Sequence, residues 1–162
     1  MAGNFELPPR SESLAEETKS LIAEHLAQNQ QALELIQKGV EIDHSRYPID
    51  IREGWNMLMP HLNGARTAVR LLSLQAILSA EEDRFNQAVE SIELISGVAR
   101  SLSKEPILMS QFTCIYCKDE AVKSLERVLN RISLTDVPLY GHIIHLKGLC
   151  MFYFSDSMKL SA

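Results

Sequence analysis

The spacing of apolar residues constrains this chain more than any other feature. In the segment 85–102 they recur at intervals of three and four: Phe85, Ala88, Val89, Ile92, Ile95, Ala99 and Leu102. This spacing places them on one face of an α-helix. No segment sustains the period-two alternation that a half-buried β-strand requires. The pattern therefore predicts an all-α fold.

The N-terminal half is predicted to contain two main helices. Ser13 and Glu16 have the spacing of a capping box, and they predict a first helix over about 14–38. The residues from 61 to 80 are apolar around most of the helical circumference. Such a helix has to pack on more than one side, so we expect it to be central. A short helix over 50–59 is predicted between them.

The C-terminal half is predicted to contain three more helices, the first of them over 85–102. The next begins at Pro106, because proline suits the first helical position. It is expected to turn these residues inward: Leu108, Phe112, Ile115, Val122, Leu129 and Ile132. A final helix carries the C-terminal apolar segment, residues 146–154. Five main helices therefore form antiparallel hairpins.

Length and composition fit one soluble domain. With 162 residues, 46% of them hydrophobic and 23% charged, the chain can bury one core. We expect a flexible lead-in at 1–12, a domain at 13–158 and a tail at 159–162. No apolar run reaches the ~20 residues of a membrane span, and a signal peptide is not apparent, so a cytoplasmic location is expected. The net charge of −5, without a basic stripe, argues against nucleic acid as a partner.

Two Cys and two His residues have spacings that resemble a metal site. Cys114 and Cys117 form a C-x-x-C pair, and His142 and His145 form an H-x-x-H pair. The cysteines could also act as a redox pair. However, zinc fingers separate their histidines by three to five residues, and a redox pair needs its first thiol at a helix N-terminus. Both thiols fall inside a predicted helix, so we favour buried free cysteines, and we expect no metal and no cofactor.

Four aromatic residues are candidate binding residues. Tyr47 lies in a predicted linker and Trp55 lies close to Pro60, where aromatic rings supply contact area at low entropic cost. Trp55 could instead fill the gap beside Pro60, and of the two roles we favour this packing role. Phe152 and Phe154 belong to the C-terminal apolar segment, which one helical face cannot bury. They are predicted to support self-association or the docking of a downstream segment.

The segment 72–92 resembles a tetratricopeptide-type helical hairpin. Ala76 and Ala88 match the small residues at the crossing of the two helices, and Phe85 matches the aromatic residue that seals the turn. Two positions carry polar residues where the family prefers apolar or aromatic ones: Gln75 and Ser79. The resemblance implies a right-handed array of hairpins or an irregular bundle. The whole chain is also similar to bacterial proteins of this helical-hairpin kind, a resemblance that implies no activity.

Three functions are consistent with these features. The first, which we favour, is a non-catalytic interaction or scaffold module that binds a protein or peptide, because stacked helical hairpins leave grooves for such partners. The second is a metal-binding or redox protein that uses the Cys and His pairs. The third is a structural fragment of a longer helical protein.

Overall fold

A computed structural model describes residues 8–42 and 47–131. Within these ranges the chain forms five α-helices and one short 3₁₀ helix, and no residue lies in a β-strand. The helices are α1 (Glu16–Gln28), α2 (Gln30–Val40), the 3₁₀ helix (Ile51–Asn56), α3 (Pro60–Glu81), α4 (Phe85–Leu102) and α5 (Leu108–Leu129). The predicted all-α fold is confirmed. The predicted final helix lies outside the described residues.

Helix α3 is the central helix, as its apolar circumference predicted. It packs against each of the other four α-helices. On one face Val69 and Leu72 are fully buried in the main core with α4 and α5. On another face Leu71 and Leu78 pack against α1. Pro60 begins this helix and does not kink an earlier one, because its missing N–H has no role in the first turn.

The first predicted helix is wrong in one respect, because Asn29 divides it into α1 and α2. Asn29 has φ −110° and ψ 16°, outside the helical region. Its side-chain amide donates to the carbonyl oxygen of His25 at 2.8 Å, and such local bonds compete with the regular helical pattern. The predicted capping box is also wrong, since α1 starts after Ala15 without a side-chain cap.

The α3–α4 hairpin agrees with the predicted helices and the turn between them. Residues 82–84 connect the helices, and the amide of Arg84 donates to the carbonyl oxygen of Ser79 at 2.8 Å. Ala76 and Ala88 are fully buried, and Phe85 packs half-buried against the same core. The small residues therefore lie where two helices pack. The right-handed array stays a prediction.

Replacing Ala88 with leucine is expected to lower the free energy of unfolding by roughly 1–3 kcal/mol, because extra methylenes overpack a filled core. The loss is measured by urea denaturation. Glu93→Leu, at an exposed position of the same helix, is the control and should change stability by less than about 0.5 kcal/mol. Equal stability of the two variants would show that the α3–α4 interface has room at this position.

Helix α5 turns a different face to the core from the predicted one. It begins at Leu108, two residues after Pro106. The residues that it buries are mostly small: Ser110, Thr113, Cys114, Cys117, Ala121, Ser124, Leu125, Arg127 and Val128. Leu108, Phe112 and Ile115, predicted to point inward, are 68%, 53% and 56% exposed. The prediction failed because close helix packing selects small side chains over large ones.

Four large apolar side chains therefore lie exposed along the N-terminal half of α5. We call them the α5 strip: Leu108, Met109, Phe112 and Ile115. Of the other residues predicted to face inward, Val122 and Leu129 are half-buried, and Ile132 lies outside the described residues. None of the helices in the described ranges has the length and apolarity to cross a membrane.

Candidate binding pocket

A pocket of about 500 Å³ opens between α2, α3 and α4, and we call it the α2–α4 pocket. Its volume lies in the range of about 300–1,000 Å³ that is typical of ligand sites. Four small residues of α3 and α4 leave much of this space open: Gly64, Ala65, Ala68 and Gly97. Four branched apolar side chains also line the pocket: Ile36, Val40, Ile42 and Val98. The pocket is thus concave and largely apolar.

Two glycines shape this pocket in different ways. A Cβ atom at residue 97 would collide with the methyl groups of Val40 on α2. Apart from the adjoining backbone of its own helix, a Cβ atom at residue 64 would meet no atom of the described residues within 4 Å. Gly97 therefore permits the close approach of α2 to α4, whereas Gly64 leaves open space inside the pocket.

Polar side chains from three separate segments form one side of the pocket. The hydroxyl of Tyr47 lies 3.1 Å from Oγ of Ser101. The Tyr47 ring stacks on His61, with ring centroids 4.4 Å apart and planes 14° apart. Nε2 of His61 lies 3.2 Å from Oε2 of Glu105. These contacts fix the aromatic pair between the linker, α3 and the C-terminal end of α4.

Glu105 is held in place by a further contact with α5. The side-chain amide of Gln111 donates to the carbonyl oxygen of Glu105 at 2.6 Å and to that of Ser103 at 3.3 Å. The side chains of His61 and Glu105 are only 10% and 11% exposed. The orientation of the imidazole is therefore set before any ligand arrives.

The polar groups form two separate pairs. Ser101 donates to the carbonyl oxygen of Val98 at 2.8 Å and contacts Tyr47, while His61 pairs with Glu105. Nucleophilic catalysis by a serine needs its hydroxyl bonded to the base. The pairing in this structure suits recognition of a ligand and does not activate Ser101.

The charged residues that line the α2–α4 pocket are basic. Arg100 and Lys104 lie exposed at its edge, and no carboxylate is among the lining residues of the described chain. Glu105 nearby is already bonded to His61. The pocket therefore offers an apolar interior beside a positive edge, although the whole chain carries a net charge of −5.

The two described cysteines lie in the main core and do not line this pocket. Cys114 and Cys117 are 2% and 0% exposed, and the thiol of Cys114 donates to the carbonyl oxygen of Ala99 at 3.3 Å. Burial raises the pKa of both thiols, that of Cys117 to about 12. A thiol that stays protonated is a poor nucleophile and metal ligand. His142 and His145 lie outside the described residues, and the described part of the chain holds no cluster of three metal-binding side chains.

We expect Cys114 and Cys117 to resist modification in the folded protein. In a Cys150→Ser background, a thiol reagent at pH 8 should label them only on unfolding, because both pKa values are raised. Rapid labelling of the folded protein would instead favour the redox hypothesis.

The raised pKa of Cys117 also makes stability depend on pH. Since the folded pKa of Cys117 lies above its ordinary value of about 9, the contribution of Cys117 to stability is complete below pH 9 and is lost as the pH rises towards 12.

The structure describes the side chain of only one of the four candidate binding residues. Tyr47 lines the α2–α4 pocket. The side chain of Trp55, and all of Phe152 and Phe154, lie outside what the structure describes. No sequence pattern indicated His61, Ser101 or Glu105, because only tertiary packing brings them together. The glycines and alanines of α3 and α4 could have indicated the pocket from the sequence, since a glycine inside a helical pattern often marks a close approach of two backbones.

Comparison of the chain with family models, with curated proteins and with solved structures finds no match. The resemblance to tetratricopeptide hairpins therefore stays a prediction. The fold and the pocket together define the class: an all-α bundle with a ligand-sized pocket between three of its helices.

Proposed function

We propose that this protein is a non-catalytic binding module that takes up an acidic, amphipathic peptide segment of a partner protein. The observation that carries this proposal is the α2–α4 pocket, whose apolar lining adjoins the cations Arg100 and Lys104. One apolar side chain of the peptide enters the pocket, and a neighbouring carboxylate pairs with a cation at the edge. Interfaces commonly combine such an anchor with a polar rim.

The aromatic pair makes this pocket suited to binding. Tyr47 and His61 are stacked, and Ser101 and Glu105 hold them through hydrogen bonds. Side chains that are already fixed lose little conformational freedom when a ligand binds. The aromatic faces offer contact area to an apolar anchor. The pocket is therefore partly preorganised.

The exposed cations are expected to affect the rate of association more than the final affinity. Exposed charges at an interface steer the partner during approach, and salt screens their effect. Binding of an acidic peptide should thus weaken as ionic strength rises. The buried apolar contact should depend much less on salt.

The test begins with a random peptide library selected on the wild-type protein, and fluorescence anisotropy then measures the selected peptides. We expect enrichment of peptides with one large apolar residue beside Asp or Glu. Gly64→Leu should weaken their binding at least about tenfold, equivalent to about 1.4 kcal/mol. Leucine fills open space at this position and favours the helix more than glycine does, so the variant should fold normally.

Charge reversal tests the edge of the pocket. The double variant Arg100→Glu, Lys104→Glu should weaken binding about tenfold and reverse its salt dependence. Lys123→Glu on α5, which removes two surface ion pairs with Asp119 and Glu120, is the control and should bind within about twofold of wild type. Selected peptides without acidic enrichment, or equal binding to Gly64→Leu, would refute the proposal.

Self-association is a second candidate function, and the exposed α5 strip favours it. Contiguous apolar surface on a folded protein commonly marks an association site. The predicted roles of Phe152 and Phe154 in association stay predictions, because both residues lie outside the described ranges. The α5 strip supplies a surface on which a second copy of the chain can pack.

The double variant Phe112→Ser, Ile115→Ser tests this second candidate by sedimentation. If the α5 strip is an interface between copies, wild type should form dimers and the variant should be monomeric with an unchanged melting temperature for the monomer. Monomers in both cases would exclude the interface. A monomeric wild type with a less stable variant would mean that the chain's own residues cover the strip.

A further inference from the structure

Three arginines come together at the end of the bundle where α3 and α5 terminate. Arg127 lies in the last turn of α5 and is only 4% exposed. Its Nη1 atom donates to the carbonyl oxygen of Pro8 at 3.0 Å. Nε of Arg131 donates to Oε1 of Glu81 at 2.9 Å. Arg10 completes this arginine cluster from the N-terminal lead-in, where it pairs with Glu126.

Several buried donors of the arginine cluster have no acceptor. Nε and Nη2 of Arg127 and Nη2 of Arg131 are buried without a hydrogen-bond partner in the described chain. Leaving a buried donor unpaired is unfavourable, and more so when the group is charged. Buried polar groups of native proteins almost always have a partner. These three N–H-bearing atoms therefore indicate a missing acceptor.

The charges of the arginine cluster indicate that this acceptor is an anion. Three guanidinium groups face two carboxylates, those of Glu81 and Glu126, and Glu126 is half exposed. Burial lowers the pKa of Arg127, Glu81 acts to raise it, and Arg131 and Arg10 lower it further. Among the described residues, one positive charge is thus left uncompensated where water has little access.

We propose that Arg127 and Arg131 form a binding site for a phosphate group. A guanidinium is a planar fork of donors that matches the oxygen atoms of a carboxylate or phosphate. Two such forks offer donors to more than one edge of the ligand, which suits a tetrahedral oxyanion with several acceptor oxygens. The α2–α4 pocket involves the opposite, N-terminal end of α3, so this site is independent of the proposed peptide binding.

Thermal unfolding in phosphate, acetate and chloride at equal ionic strength tests the site. At a phosphate concentration ten times its Kd, the folding equilibrium constant should rise about 11-fold, which corresponds to a melting temperature about 3–6 °C higher. Acetate and chloride should give much smaller shifts. Isothermal titration of the wild-type protein with inorganic phosphate should show saturable binding with a stoichiometry near one.

Two variants locate the effect. Arg127→Met and Arg131→Gln should each abolish the response to phosphate. Arg84→Gln, which removes an exposed guanidinium paired with Glu82, is the matched control and should keep the response. If Arg127→Met does not fold, Arg131→Gln and the titration decide the outcome. Three results would overturn the proposal: a melting-temperature shift in phosphate no larger than that in chloride, an equal shift in acetate, or a phosphate response that survives both variants.

Discussion

Replacing Glu81 with alanine is expected to lower the free energy of unfolding by about 3–5 kcal/mol. The Glu81 side chain is 4% exposed and that of its partner Arg131 is 16% exposed. The same carboxylate counteracts the positive charge of Arg127. Within the described ranges, its removal would leave two buried guanidinium groups without a nearby buried carboxylate, which is far more costly than the loss of a surface pair. Urea denaturation of wild type and variant measures the difference.

The neighbouring residue provides the control. Glu82 pairs with Arg84, but the two side chains are 43% and 51% exposed. Water screens such a pair, so Glu82→Ala should cost less than about 1 kcal/mol. If the two variants have similar stabilities, Glu81 does not compensate the arginines. If the arginine cluster binds phosphate, added phosphate should also stabilise Glu81→Ala more than Glu82→Ala.

The central hairpin could be predicted from the sequence because its signals are local. The apolar stripe of 85–102 and the apolar circumference of 61–80 are properties of consecutive residues. Pro60 and the polar turn mark the ends of these helices within one or two residues. The apolar periodicity and the residues at the helix ends were therefore sufficient to predict α3 and α4.

The orientation of α5 could not be predicted in the same way, because the helix has two candidate faces. One carries large apolar side chains such as Phe112 and Ile115, and the other carries Thr113, Cys117 and Ala121. Hydrophobicity favours the first face, but the second packs on α3 and α4. Small side chains allow a close approach between helices, and this depends on the neighbouring helices and not on α5 alone.

The candidate sites depend on contacts between residues far apart in the chain. His61 bonds to Glu105 across 44 positions, and Glu81 bonds to Arg131 across 50. Neither pair has a sequence spacing that predicts it. Tyr47 became a candidate because an aromatic residue in a linker supplies contact area at low entropic cost, whereas its partners were visible only after the helices were packed.

Replacing Gly97 with alanine is expected to affect both stability and the α2–α4 pocket. The added Cβ would collide with Val40, a β-branched residue with few alternative rotamers. Such overpacking costs about 1–3 kcal/mol unless α2 moves away from α4. Because Gly97 and Val40 both line the pocket, a shift of α2 should also weaken binding of the selected peptides about tenfold, equivalent to about 1.4 kcal/mol.

Gly64→Ala is the matched control for Gly97→Ala, since both glycines are helical and the gain in helix propensity, about 0.5–1 kcal/mol, is common to both. Apart from the adjoining backbone of its own helix, no atom of the described residues lies within 4 Å of the Cβ position at residue 64, so Gly64→Ala should be slightly more stable than wild type. Its unfolding free energy should exceed that of Gly97→Ala by about 1–3 kcal/mol. Combining Val40→Ala with Gly97→Ala removes the collision, and a double-mutant cycle should therefore show strong coupling between residues 40 and 97. Additive effects of Val40→Ala and Gly97→Ala would show that the close approach of α2 to α4 does not depend on Gly97.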